Sequence, residues 1–269
     1  MERPTGLIVF GDSLSDVGNA HATLGDEAVP CPPHWRGRRC NGPLWVERLA
    51  ALLELPSPFP SLQGGTVHAY GGALSGTGVS PTKGVPNLLH QVEGFLVALG
   101  DAPADPGALY VLRAGANDYL GQPWPLGPAC GEAINANLLA AVDALANAGA
   151  EQFLVPSELP WGFSPIVPAS LTLQDRLDLN RLIELQNGHL REHLAALAAQ
   201  RDLRIVQPDL HGLLTDIVAA PADFGFQEAW RPALPGHPGA EGFLWWDDRA
   251  HLSTAVHALM AERAFEMLS

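Results

Sequence analysis

A serine, a histidine and an aspartate in this chain are the residue types that transfer an acyl group. Ser13 lies in Gly11-Asp12-Ser13-Leu14-Ser15-Asp16. Asp248 and His251 stand three apart in Trp245-Trp246-Asp247-Asp248-Arg249-Ala250-His251. A serine hydroxyl is a weak nucleophile until an imidazole takes its proton. A carboxylate beside that imidazole holds its tautomer and stabilises the imidazolium. The transition state also needs donors for its oxyanion. Gly71-Gly72 offers a backbone N–H, with Gly72 preferred, and Asn117 in Gly115-Ala116-Asn117-Asp118 offers a side-chain amide. Each piece has a plainer reading: Asp248 and His251 can cap the helix that follows, Gly71-Gly72 can be a simple turn, and Asn117 can form an Asx-turn. His257 reads as structural, inside that helix.

Two other chemistries draw on overlapping residues. Asp12, Asp16, Asn117, Asp118, Asp248 and His251 are all possible ligands of a metal-dependent phosphohydrolase, yet none of them stands in an Asp-x-His or His-x-His pair that would build a two-metal centre. The nucleophile elbow Gly-x-Ser-x-Gly is not matched at Ser13, where the fifth position is Ser15.

The elements that must position these groups follow from hydrophobic pattern. Leu7–Phe10, Leu109–Leu112, Gln152–Val155 and Arg204–Val206 read as short buried strands, and Val67–Tyr70 as a weaker one. Helical spacing covers Leu44–Leu53, Asn87–Leu99, Ala133–Ala148, Leu173–Ala199, Leu210–Ala219 and Thr254–Leu268. Strands alternating with helices, joined by connections too long for hairpins, predict an α/β chain: a five-stranded parallel sheet between two layers of helices. With no internal repeat or linker, residues 1–269 read as a single domain. Ser13, Gly72 and Asn117 each follow a strand, which places them at one sheet edge, where open α/β sheets bind ligands. The loops Ala20–Gly42, Gly76–Pro86, Gly121–Gly131, Pro156–Pro168 and Pro221–Glu241 are expected to wall the pocket; Trp35, Trp124, Trp161, Phe224, Phe226 and Trp230 are their aromatics.

Fifteen Lys and Arg against 29 Asp and Glu leave a formal charge of −14. Such a balance argues against nucleic acid or an anionic membrane surface as partner. No apolar run is long enough to cross a membrane. The chain enters its first strand almost at once, with no charged-then-apolar leader, so the compartment is left open between the cytoplasm and export after removal of a leader. Cys31 and Cys40 could be bridged in an exported chain or free in a reducing one, and Cys130 is left over.

The blocks taken together resemble the GDSL esterases and lipases, the SGNH hydrolase superfamily, in its plant-like bacterial branch. Gly11-Asp12-Ser13-Leu14-Ser15-Asp16-Val17-Gly18-Asn19 matches the nucleophile block. Asn41-Gly42-Pro43-Leu44-Trp45-Val46-Glu47, Ala69-Tyr70-Gly71-Gly72-Ala73, Gly115-Ala116-Asn117-Asp118 and Leu159-Pro160-Trp161-Gly162-Phe163-Ser164-Pro165 follow in family order, and Asp248-x-x-His251 closes the series. Departures are Val67 in the second block, Asp247 before Asp248, and Leu252-Ser253 after the histidine. The resemblance implies a flavodoxin-like fold and a catalytic Ser13, Asp248 and His251. It also implies oxyanion donors at Ser13, Gly72 and Asn117, and no metal or cofactor. A small-molecule ester with a short, acetyl-type acyl group is the expected substrate, with lipase or lysophospholipase activity as the alternative. Oligomeric state is left open.

Overall fold

The structure is a computed structural model that describes residues 3–27, 29–167, 170–233, 242–246 and 250–269. Its first strand, β1 (Leu7–Gly11), is buried along nearly its whole length, as expected of a strand covered on both faces. It pairs in parallel with β2 (Leu109–Arg113), in the register Leu7↔Leu109 to Gly11↔Arg113. β3 (Gln152–Leu154) continues the sheet beside β2, and β4 (Arg204–Val206) beside β3. The order is therefore β1-β2-β3-β4, all parallel.

Four strands stand where five are expected. The missing one is Val67–Tyr70. That segment does run parallel to β1, with a bridge between Val9 and Val67. It makes the alternating bonds of a ladder: Val9 N–H to Thr66 O at 2.9 Å, His68 N–H to Val9 O at 2.7 Å and Tyr70 N–H to Gly11 O at 3.1 Å. It is too short to make a regular strand, because Gly64-Gly65 precedes it and Gly71-Gly72 ends it. Its position outside β1 gives the flavodoxin-like order 2-1-3-4-5 when it is included.

Helices cover both faces of the sheet. α3 (Leu88–Leu99) packs on β1 and on α5 (Pro128–Asn147), and α5 packs on α6 (Leu173–Arg201). α2 (Trp45–Leu52) packs against α8 (Thr254–Leu268), which also meets α7 (Leu210–Ala219). These bounds follow the periodicity within a few residues, except that α5 begins at Pro128, a favoured first-turn residue. Two short helices fall where turns or loops are expected: α1 (Asn19–Leu24) and α4 (Ala116–Leu120). The loop expected over Pro221–Glu241 holds a strand, β5 (Glu228–Pro232), paired in parallel with β6 (Phe243–Trp245). Cys31, Cys40 and Cys130 are all free thiols.

Among the described residues, no helix is long and apolar enough to cross a membrane.

Candidate active site

At the carboxyl end of β1 the chain must turn sharply beside β2. Gly11 makes this possible: its φ is +148°, and a Cβ there would lie 2.1 Å from the Arg113 carbonyl oxygen. Gln91 of α3 holds the same point, accepting from Gly11 N–H at 2.8 Å and donating to Gly11 O at 2.9 Å. Every residue after Gly11 then has a distinct duty. The Asp12 carboxylate takes both Arg113 Nη1 contacts, at 3.0 and 2.8 Å, and the Leu14 N–H at 3.0 Å. Leu14 and Val17 enter the core. Ser15 Oγ accepts from Trp45 Nε1 at 3.1 Å. Ser13 supplies the polar side chain that this turn brings to the cavity, with Leu14 beside it in the lining.

There it meets His251: Ser13 Oγ and His251 Nε2 are 2.7 Å apart across 238 residues of chain. The histidine is set by backbone contacts to the end of β6. Trp246 N–H donates to His251 O at 2.7 Å, Ser253 N–H donates to Leu244 O at 2.9 Å, and Trp245 bridges Leu252. The N-cap of α8 is Ser253, so the His251 side chain is aimed at Ser13 rather than spent on capping. Asp248, the expected partner of His251, and its neighbour Asp247 lie outside the described residues.

The two glycines expected to offer an oxyanion donor divide their work. Gly71 N–H donates to Asp16 Oδ2 at 2.7 Å. Among the described residues, Gly72 N–H and Ser13 N–H have no protein acceptor, and both residues line the cavity. Asp16 is the organiser of this turn. Its Oδ1 accepts from Gly18 and Asn19 N–H at 2.8 and 2.7 Å, and its Oδ2 from Ala20 N–H at 3.0 Å as well as from Gly71. Burial pushes its carboxyl above the ordinary value, and these four N–H donors pull it back. Asn117 Nδ2 donates to Ala73 O at 2.8 Å. Its second amide hydrogen is left for the cavity, and the first bond ties the Gly72 turn to α4.

Behind the nucleophile turn lies a buried charge cluster that pattern reading missed. Arg113 Nη2 reaches Glu158 Oε1 at 2.6 Å, while its Nη1 holds Asp12. Glu158 Oε1 also accepts from Trp161 Nε1 at 2.9 Å, and Trp161 is a wall of the cavity. Arg113 thus links the strand end that carries Ser13 to the far wall. Its partners sit 101 and 45 residues away, so no local signal points to it. The carboxylates that a metal-site reading would use are engaged here: Asp12 by Arg113, Asp16 by backbone N–H groups, and Asp118 by Ser75 N–H and Oγ–H at 3.0 and 2.7 Å.

The cavity has a volume of about 610 Å³. Its lining mixes apolar Leu14, Leu74, Leu120 and Trp161 with polar Arg39, Thr82, Lys83 and Gln122. A hydroxyl in contact with an imidazole, beside N–H groups without acceptors, can pass a proton and cradle a developing negative oxygen.

The family model described as GDSL-like lipase/acylhydrolase matches residues 7–264. The chain is 32% identical over 124 residues to a phosphatidylcholine-sterol acyltransferase of Aeromonas hydrophila, covering 44% of this chain and 34% of that protein. It is 26% identical over 288 residues to a thermolabile hemolysin of Vibrio parahaemolyticus, covering 97% and 63%. It is 30% identical over 192 residues to a GDSL esterase/lipase of Arabidopsis thaliana, covering 61% and 53%. The chain thus spans between about a third and two thirds of the length of these relatives. In fold it is similar to an acetylxylan esterase of Geobacillus stearothermophilus, with a TM-score of 0.50 at 13% identity, over 100% of this chain and 97% of that one.

Proposed function

The chain belongs to the GDSL-like lipase/acylhydrolase family, and from that premise we propose that it is a serine esterase that hydrolyses carboxylic esters at Ser13. The observation that carries this reading is the 2.7 Å contact between Ser13 Oγ and His251 Nε2.

His251 Nε2 takes the Ser13 hydroxyl proton as Oγ attacks the ester carbonyl. The tetrahedral oxyanion is held by the N–H of Ser13, the N–H of Gly72 and the free amide hydrogen of Asn117. The intermediate collapses, His251 gives its proton to the departing alkoxide, and the alcohol leaves an acyl-Ser13. Water then attacks the acyl carbon, losing its proton to His251, and Ser13 Oγ leaves with that proton restored. Asp248 is assigned the role of accepting from the other imidazole nitrogen.

The acyl group is short. A long chain laid along this cavity would cover Thr82, Lys83 and Gln122 without replacing their bonds to water, a cost of about 1–3 kcal/mol for each unpaired group. A p-nitrophenyl ester series from acetate to palmitate tests this, with kcat/KM expected to peak at the short end. A peak at palmitate contradicts it. Ser13→Ala is expected to remain folded by circular dichroism while losing p-nitrophenyl acetate hydrolysis; retained turnover contradicts the assignment of Ser13.

A further inference from the structure

The chain has a single lysine, Lys83, among 29 acidic residues. That lysine lines the cavity that holds Ser13. Its stem lies over Gly72, where a Cβ would come within 2.6 Å of Lys83 Cγ and 3.2 Å of its Cβ. Glycine at 72, with φ +93°, thus gives the lysine its seat as well as shaping the turn.

The turn that carries Lys83 is held from inside. Ser80 N–H donates to Val85 O at 2.8 Å and Gly84 N–H to Ser80 O at 2.7 Å, which closes the loop around residues 81–83. Val85 is fully buried against Tyr70 and Ala73, on either side of Gly71-Gly72. Buried Asn87 stitches the base: its Nδ2 donates to Thr77 O at 2.8 Å, its N–H to Gly78 O at 2.9 Å, and its Oδ1 accepts from Leu74 N–H at 2.9 Å. A rigid turn therefore presents an exposed ammonium at the cavity rim. No carboxylate among the described residues pairs with it. Asp118 is the one described carboxylate in the lining, and its oxygens accept from Ser75. In a molecule of charge −14, which repels anions at long range, an ammonium on a braced turn beside the nucleophile, in a lining that also holds Arg39, has a selective use.

We propose that Lys83 is a specificity residue that selects esters bearing an anionic group, a carboxylate or a phosphate, a few bonds from the scissile carbonyl. This assignment rests on the esterase reading of the site. It reconciles an acidic protein with an anionic substrate, because attraction at contact range survives screening that weakens the overall repulsion.

Two matched pairs test it: mono-p-nitrophenyl adipate against p-nitrophenyl hexanoate, and 1-acetylglycerol 3-phosphate against 1-acetylglycerol. The quantity measured is the ratio of kcat/KM for the charged ester to that for its neutral partner. An ammonium at a solvated rim is expected to change this ratio by about two- to fivefold. The ratio falls by that factor in Lys83→Ala, falls further in Lys83→Glu and returns in Lys83→Arg; 0.5 M NaCl narrows the difference. A fall confined to the adipate pair places the anion on the acyl side, and one confined to the phosphate pair places it on the alcohol. Ratios unmoved by Lys83→Ala in both pairs overturn the assignment, even where Ser13 is required for turnover. Hydrolysis that persists in Ser13→Ala overturns the esterase reading itself.

Discussion

Asn117 carries two duties on one nitrogen. One amide hydrogen is bonded to Ala73 O, and the other is assigned to the oxyanion. Asn117→Ala should lower kcat on p-nitrophenyl acetate by about 10²–10³, the typical cost of one donor. Its unfolding free energy should drop by only about 1 kcal/mol, the net worth of one hydrogen bond. A kcat within a few-fold of wild type would remove Asn117 from the oxyanion site. Asp16 acts at one remove. Asp16→Ala strips acceptors from four backbone N–H groups at once, among them the one that positions Gly72. Both Tm and kcat should fall, and loss of Tm with kcat preserved would separate Asp16 from the oxyanion turn. That Ser13, Gly72, Asn117 and His251 line one cavity was legible, because each follows an apolar run or sits in a recognisable block. The duty of Asp16 was not, because a carboxylate that caps a turn and one that binds a metal are the same letter.

The packing of α8 on α2 contains a buried histidine whose state can be read by pH. His257 Nδ1 accepts from Trp45 N–H at 3.1 Å, which requires the neutral ring. Burial pushes its pKa down to about 3, helped by His251, Arg113 and Arg48 nearby. In the unfolded chain the ring titrates near 6.5, so below that pH the unfolded state binds the extra proton and stability falls as pH falls. The loss should run at about 1.4 kcal/mol per pH unit from about pH 6 toward 3, and level off below. Urea unfolding of wild type and His257→Gln at pH 7, 5.5 and 4.5 checks it: the two curves should converge on acidification, and parallel curves would contradict it. The reading of His257 as structural needed only its place inside a helix. Val67–Tyr70 was legible as a weak strand of the parallel sheet, but its place beside β1 and the shortness of its ladder were not, since both depend on β1 rather than on its own pattern. β5 was hidden because Trp230 and Pro232 sit in a stretch dense in proline and glycine, which reads as loop.

Across the whole molecule, the strand ends are tied together by Arg113, Asp12 and Glu158, all buried. Removing the cation leaves two carboxylates without compensation in the core. Arg113→Met should cost about 3–5 kcal/mol, or roughly 6–20 °C in Tm for a chain of this size. It should also loosen both the Ser13 turn and Trp161. A Tm within about 2 °C of wild type would show that the cluster does not brace the sheet. The parallel sheet and the edge on which the site lies followed from alternating elements, whereas this brace joins strands that only the folded chain brings together.

In the proposed reaction Ser13 is a nucleophile activated by His251. A fluorophosphonate probe with intact-mass analysis and peptide mapping tests it most directly. One adduct is expected, on Ser13, formed rapidly in wild type, absent in Ser13→Ala and slowed by orders of magnitude in His251→Ala. An unlabelled wild-type protein, an adduct on another residue, or equal labelling rates with and without His251 would contradict it.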